Sequence, residues 1–254
     1  LRLTVIGSAD AFNACGRRHS CYVLEGDELG PLMVDFGATA LQGLHACGFK
    51  ASEIKGFAFT HLHGDHVGGW PFLVIDGMFA DVRRERLDVV GPAGVAQRLD
   101  TFLEAGYGDV ATRERPYETR VRELFPGGTI THAGATIRAF PAEHMDPPEE
   151  PMCLRVTANG KSVAFSGDTA MCDGLLEAAD GVDLLVAECS CLAQPCGRHC
   201  TWEDWREKLA EVKAKRVLLT HLGVSVRQST DRLLAEAPDG VDLSFADDGL
   251  VIEL

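Results

Sequence analysis

The stretch Thr60-His61-Leu62-His63-Gly64-Asp65-His66 constrains this chain more than any other. It puts three imidazoles and one carboxylate within a single short loop, directly after the apolar run Gly56–Phe59, which reads as a strand. His61 and His63, two apart on an extended loop, can turn their rings toward one point. Gly64 then lets the chain bend into a helix, which carries Asp65 and His66 to a second point nearby. Imidazoles crowded this closely resist being protonated together. A bound divalent cation satisfies all of them at once, so the loop reads as a metal motif.

Two ions need more ligands than this loop holds. Three further residues share one context, each just past the end of an apolar strand: His144 after Thr136–Phe140, Asp168 after Ser162–Phe165 and His221 after Val217–Leu219. Ligands at the carboxyl ends of strands converge on one sheet edge, where α/β folds place their sites. Each residue alone would read as a cap or a turn. Together with the first cluster they make a ligand set.

The rest of the chain supplies the scaffold. Further candidate strands are Leu3–Ile6, Cys21–Leu24, Leu32–Val34, Leu87–Val90, Leu154–Thr157, Leu184–Ala187, Val241–Phe245 and Val251–Glu253. Candidate helices are Thr39–Cys47, Gly94–Ala105, Gly174–Ala179, Thr201–Ala214 and Gln228–Ala237. Strands alternating with helices in both halves imply a layered α/β architecture with covered sheets. Trp202, Trp205, Leu209 and Val212 form one apolar stripe at helical spacing, which reads as core packing. Thr201 with Asp204 is a capping-box pattern that starts this helix beside His199 and Cys200. The apolar segment Trp70–Phe79 reads by default as a core helix, with pocket lining or a homodimer seam as alternatives.

Composition narrows the function. With 24 Lys and Arg against 38 Asp and Glu, the formal charge is −14, so the surface as a whole repels polyanions and extended nucleic acid is disfavoured as a partner. No apolar run has the length of a membrane span, and no export signal is visible at the N-terminus. Nine cysteines, an odd number, are too sparse for a disulfide scaffold. Reduced thiols in a cytoplasmic protein are the expectation, and this includes Cys189, Cys191, Cys196 and Cys200, whose irregular spacing does not suit a further metal site.

In this order, His61-x-His63-x-Asp65-His66, His144, Asp168 within Ser166-Gly167-Asp168-Thr169, and His221 resemble the motifs of the metallo-β-lactamase superfamily across nearly the whole chain. The resemblance implies an αββα sandwich of two similar halves, an α/β fold in four layers, with residues 1–254 as one hydrolase domain. It implies that His61, His63 and His144 hold one metal, that Asp65, His66 and His221 hold a second, and that Asp168 bridges them. Asp35 would support the ligands from behind. The cofactors so implied are two divalent ions, zinc first, although nitrogen and oxygen ligands also accept manganese and iron.

Within that superfamily the chain is most similar to the ribonuclease Z branch and its small phosphodiesterases. The pointer is His199 in His199-Cys200-Thr201, where ribonuclease Z-like enzymes carry a histidine that contacts the scissile phosphate. An imidazolium beside a helix start is also, on physical grounds, a ready anion site. Between His144 and Asp168, however, there is room only for the acidic DPPEEP turn and two strands. The long arm with which tRNA-processing members grip their substrate does not fit there. Cys15 and Cys21 alone also fail to reproduce the cysteine-rich zinc site of the phosphonate-pathway cyclic phosphodiesterase.

The implied activity is hydrolysis of a small or cyclic phosphodiester. A water between two dications loses its proton near neutral pH and attacks, oriented by Asp65, while His199 serves the leaving side. The alternatives are a carbonyl hydrolase (lactonase, thioesterase or β-lactamase), since a dimetal centre does not choose between phosphorus and carbon, and a ribonuclease Z-like endonuclease. His63 and the lack of a flavin segment speak against a flavin-coupled di-iron enzyme. A full ligand set with a phosphate-side histidine speaks against a metal-stabilised binding module.

Overall fold

A computed structural model describes residues 1–254. The first half runs β1 (Arg2–Gly7), β2 (Cys21–Glu25), β3 (Leu32–Val34), α1 (Ala40–Ala46), β4 (Gly56–Ala58), α2 (Gly64–Val67), α3 (Trp70–Phe79), β5 (Leu87–Gly91), α4 (Val95–Ala111) and β6 (Thr119–Glu123). The second runs β7 (Thr129–His132), β8 (Ala135–Pro141), β9 (Met152–Ala158), β10 (Lys161–Phe165), α5 (Asp173–Ala179), β11 (Leu184–Glu188), α6 (Trp202–Lys208), β12 (Val217–Thr220), α7 (Val224–Arg227), α8 (Thr230–Glu236), β13 (Leu243–Phe245) and β14 (Val251–Glu253).

The strands form two seven-stranded sheets, ordered β14-β1-β2-β3-β4-β5-β6 and β13-β12-β11-β10-β9-β8-β7. Each half repeats one plan. Antiparallel strands lead into a parallel set, β3 to β6 in the first sheet and β10 to β13 in the second. Strand alternation divides the side chains between layers. Tyr22, Leu24, Leu32, Val34, Val163, Phe165, Leu184 and Val186 face the middle core between the sheets. Their neighbours Val23 and Met33 instead face the helices over the first sheet, and Ala164, Leu185 and Ala187 face those over the second. The result is helices, sheet, sheet, helices: the four-layer sandwich expected from the sequence.

Three differences from the sequence reading have physical causes. Strands β6 and β7 were not expected, because TRVRE and TITH are polar edge strands of half-exposed residues with no apolar run to mark them. Trp70–Phe79, by contrast, is the core helix that the sequence suggests, with Pro71 in its first turn and Trp70, Leu73 and Val74 buried. The helix expected over Thr201–Ala214 stops at Lys208; Glu211 N–H bonds back to the Lys208 carbonyl at 2.8 Å, and Lys215 N–H is taken by Val182 at 2.9 Å as the chain returns to the sheet. The capping box itself is formed, with Thr201 accepting from Asp204 N–H and Asp204 accepting from Thr201 N–H.

The third difference concerns the cysteines. Cys191 and Cys196 are joined in a disulfide, not held as the reduced thiols that the sequence suggested; the other seven are free. The intervening turn through Gln194-Pro195 brings their Cα atoms to 6.1 Å, within bridging range. The argument for a reducing compartment loses this pair. No helix is long and apolar enough to cross a membrane.

Candidate metal centre

The site lies where the parallel strands end. Asp35 follows β3, His61 and His63 follow β4, Asp168 follows β10, Glu188 closes β11 and His221 follows β12, while His144 comes from the neighbouring β8 edge. Turning so many chains at one rim requires tight backbone. A Cβ on Gly37 would lie 1.9 Å from the Asp65 carbonyl oxygen, and Gly167, at φ 57°, packs against Thr60. Asp35 and His221 are themselves left-handed, at φ 57° and 52°, a strain that a non-glycine residue keeps only when its surroundings impose it.

All seven expected ligands come together, in two groups. His61, His63, His144 and Asp168 form one, and Asp65, His66, Asp168 and His221 the other, with ligand atoms within 4.8 Å of one another in each. Asp168 belongs to both. Its Oδ2 lies 3.7 Å from His61 Nε2 and 3.8 Å from His144 Nε2; its Oδ1 lies 3.2 Å from His66 Nε2 and 3.4 Å from His221 Nε2. Asp65 Oδ2 is 3.3 Å from His66 Nε2 and 3.4 Å from His221 Nε2. From behind, Asp35 accepts from His66 Nδ1 at 2.8 Å and from both the backbone and the hydroxyl of Thr60. That bond leaves His66 Nε2 bare toward the centre.

Three atoms at the heart of this cluster, His61 Nε2, His66 Nε2 and Asp168 Oδ1, are buried without a hydrogen-bond partner. Buried polar atoms without partners are costly, and three in one place, all good ligand atoms, fit a cation. The charges agree. Burial pushes the imidazoles of His61, His63 and His144 down, toward the neutral form that ligates. Burial is the largest single influence on the other group too and opposes charge there, but the surrounding carboxylates together outweigh it: Asp168, Asp35 and Asp65 drive His66 up, and Asp168, Asp65 and Glu188 drive His221 to about 9. Asp65 and Asp168, despite burial, are held well below the usual carboxylate range by these same imidazoles. The carboxylates demand compensating positive charge, which a dication would supply.

His199 lies beside this centre, its ring centroid 4.8 Å from that of His144 and 5.7 Å from that of His221. Its Nδ1 donates to Glu188 Oε1 at 2.8 Å, leaving Nε2 free. Burial lowers the His199 pKa, but the hydrogen bond and charge of Glu188 outweigh it and the net shift is upward. The sequence reading gave no role to Glu188, fully buried and anchored by Thr169 N–H and, through its own carbonyl, by Trp205 Nε1. A signal existed: β11 sits between β10 and β12, and both of those strands end in site residues. A cleft of about 420 Å³ opens over the cluster, lined by Phe12, His63, Asp65, His144, Arg198 and His199 among others.

The profile of the family described as Anti-Pycsar protein Apyc1 matches residues 1–235. The chain belongs to the Anti-Pycsar protein Apyc1 family. This Apyc1-family chain is 28% identical to the ribonuclease Z of Ignicoccus hospitalis, over 98% of its own length and 96% of that protein's. It spans only 58% of the ribonuclease Z of Mycobacterium bovis, to which it is 31% identical over 163 residues. Among solved structures, the metallo-β-lactamase fold protein YhfI of Bacillus subtilis superposes with a TM-score of 0.77, at 23% identity and 99% coverage of both chains. A diphosphatase of the PhnP family superposes with a TM-score of 0.78, at 18% identity, over 100% of this chain and 97% of that one. The fold is that of the metallo-β-lactamase superfamily, in its ribonuclease Z-like branch.

Proposed function

We propose that residues 1–254 form a single metal-dependent hydrolase domain that cleaves a small or cyclic phosphodiester. His61, His63 and His144 would hold one divalent ion and Asp65, His66 and His221 a second, with Asp168 shared; zinc suits this nitrogen-rich set. Such ions supply Lewis acidity and a nucleophile that is deprotonated near neutral pH.

The chain's own residues supply the rest. Asp65 offers a carboxylate edge to orient the attacking water, and Asp35 keeps His66 in its ligating tautomer. His199, with Nδ1 held by Glu188, offers Nε2–H toward the cleft, where it can stabilise an anionic oxygen or protonate a leaving one. The observation carrying the choice of phosphorus is this buried carboxylate–imidazole pair beside the cluster. It keeps a positive donor where a phosphorane would gather charge. A cleft of about 420 Å³ suits a small molecule, and the stretch from His144 to Asp168 is spent on β9 and β10, with no arm for a folded RNA.

The experiment is a substrate panel on the metal-loaded protein: bis-p-nitrophenyl phosphate, cyclic and linear small phosphodiesters, a lactone, a chromogenic lactam and a short RNA. Turnover of the small phosphodiesters, lost on chelation, is the expected result. Hydrolysis of the lactone or lactam without phosphodiester cleavage would replace this reading with the carbonyl one, and cleavage confined to RNA would replace it with the endonuclease one.

A further inference from the structure

Among the polar groups bordering the cleft, the Ser190 hydroxyl has the most partners and no part in the reading above. Its Oγ lies 2.6 Å from Glu188 Oε2, 2.9 Å from His221 Nδ1, and 3.4 Å from both His199 Nδ1 and the His221 carbonyl oxygen. A serine has one proton to donate, and the shortest contact, to a buried carboxylate, takes it. The lone pairs then accept Nδ1–H of His221. This fixes the tautomer of His221, leaving Nε2 bare toward Asp65 and Asp168.

We infer that Ser190 is a positioning residue that joins His221 to the Glu188–His199 pair. This inference rests on the proposed metal-holding role of His221. Two observations make the link more than local packing. His221 sits at a left-handed φ of 52°, so its ring direction is not set by relaxed backbone geometry and depends on what holds Nδ1. Glu188 divides its carboxylate, one oxygen taking Ser190 and the other His199 and Thr169 N–H. Hydrogen bonds therefore run without a break from His221 through Ser190 and Glu188 to His199. The ion-facing imidazole and the substrate-facing one are held by a single carboxylate.

The test compares Ser190→Ala and Ser190→Thr with the wild type in the full chain. Ion binding is read by competition with a chromophoric chelator, steady-state kinetics on bis-p-nitrophenyl phosphate, and unfolding temperature without metal. Removing an outer partner of a ligating histidine typically costs about 10–100-fold in metal affinity. Ser190→Ala should therefore weaken one ion by that factor, leave the other unchanged, and lower kcat with little change in KM. Ser190→Thr, which keeps a hydroxyl, should recover the affinity. Unaltered binding of both ions by the alanine variant would overturn the inference, as would equal weakening of both with a lower unfolding temperature, which marks a merely structural role. A wild type that binds no ions would instead sink the metal-centre reading, and the inference with it.

Discussion

Glu188 Oε1 accepts a 2.8 Å hydrogen bond from His199 Nδ1, and the carboxylate is almost wholly buried while the imidazole reaches the cleft. A buried carboxylate with its proton donor removed is uncompensated, so the pair holds His199 in one orientation and favours its charged form. His199→Ala should retain both ions and lower kcat by about 10²–10⁴-fold, the usual range for a positioned acid. Glu188→Gln should retain ions too and lower kcat less. Metal content by mass spectrometry together with steady-state kinetics checks both variants. Full activity in His199→Ala would remove the argument for a phosphate-side imidazole.

Ligand removal should act differently. His63→Ala deletes one member of the first group, and Asp168→Asn removes charge from the residue common to both. Each should lose bound metal and turnover together. Chelation of the wild type should lower the unfolding temperature as well. Ions that bind only the folded state stabilise it by about 2.7 kcal/mol at a free concentration one hundred times Kd. Calorimetry with and without chelator, beside elemental analysis, checks this. An unfolding temperature indifferent to chelation would mean that the cluster holds no tight ion.

Much of the architecture was legible because buried strands announce themselves. Leu32–Val34 and Val251–Glu253 match their expected limits, and all seven ligand candidates follow strands that the pattern identifies. The polar edges β6 and β7 carry no such pattern, since half their residues face solvent and cross-strand bonding decides them. Glu188 and Ser190 drew no role for another reason. They stand in Glu188-Cys189-Ser190-Cys191, where the cysteines draw the attention, and their roles arise only when β11 is set between β10 and β12. The Cys191–Cys196 pairing depended on a turn whose shape the sequence does not specify.

That disulfide can be counted. Unfolded without reductant, the chain should titrate seven thiols, and nine after reduction. The bridge closes a short loop, which limits its stabilisation to about 2 kcal/mol on the chain-entropy account. Arg198 follows two residues beyond the bridge, and its carbonyl accepts from His144 Nδ1 at 3.1 Å, so the double variant Cys191→Ser, Cys196→Ser should cost activity as well as stability. Nine titratable thiols in the oxidised, unfolded chain would show that the pair is reduced after all.

His132, on β7 and remote from the metal centre, gives the fold a pH dependence of definite sign. It is buried against Gly56 of β4, and Arg122 Nη2 lies 3.1 Å from its Nδ1. An arginine can only donate, so Nδ1 must accept, which requires the neutral ring. Burial first, and then the Arg122 charge, push its pKa down to about 4 from 6.5. Between these values the unfolded chain binds more protons than the folded one, so stability rises with pH across the window. The contribution is fully present above pH 6.5 and is lost as pH falls toward 4. At pH 5 it amounts to about 2 kcal/mol lost relative to pH 7. His132→Gln cannot take up that proton. Its stability, measured by urea unfolding, should therefore fall less than that of the wild type between pH 7 and pH 5. Parallel losses in the two proteins would mean that His132 charges as freely when folded as when unfolded.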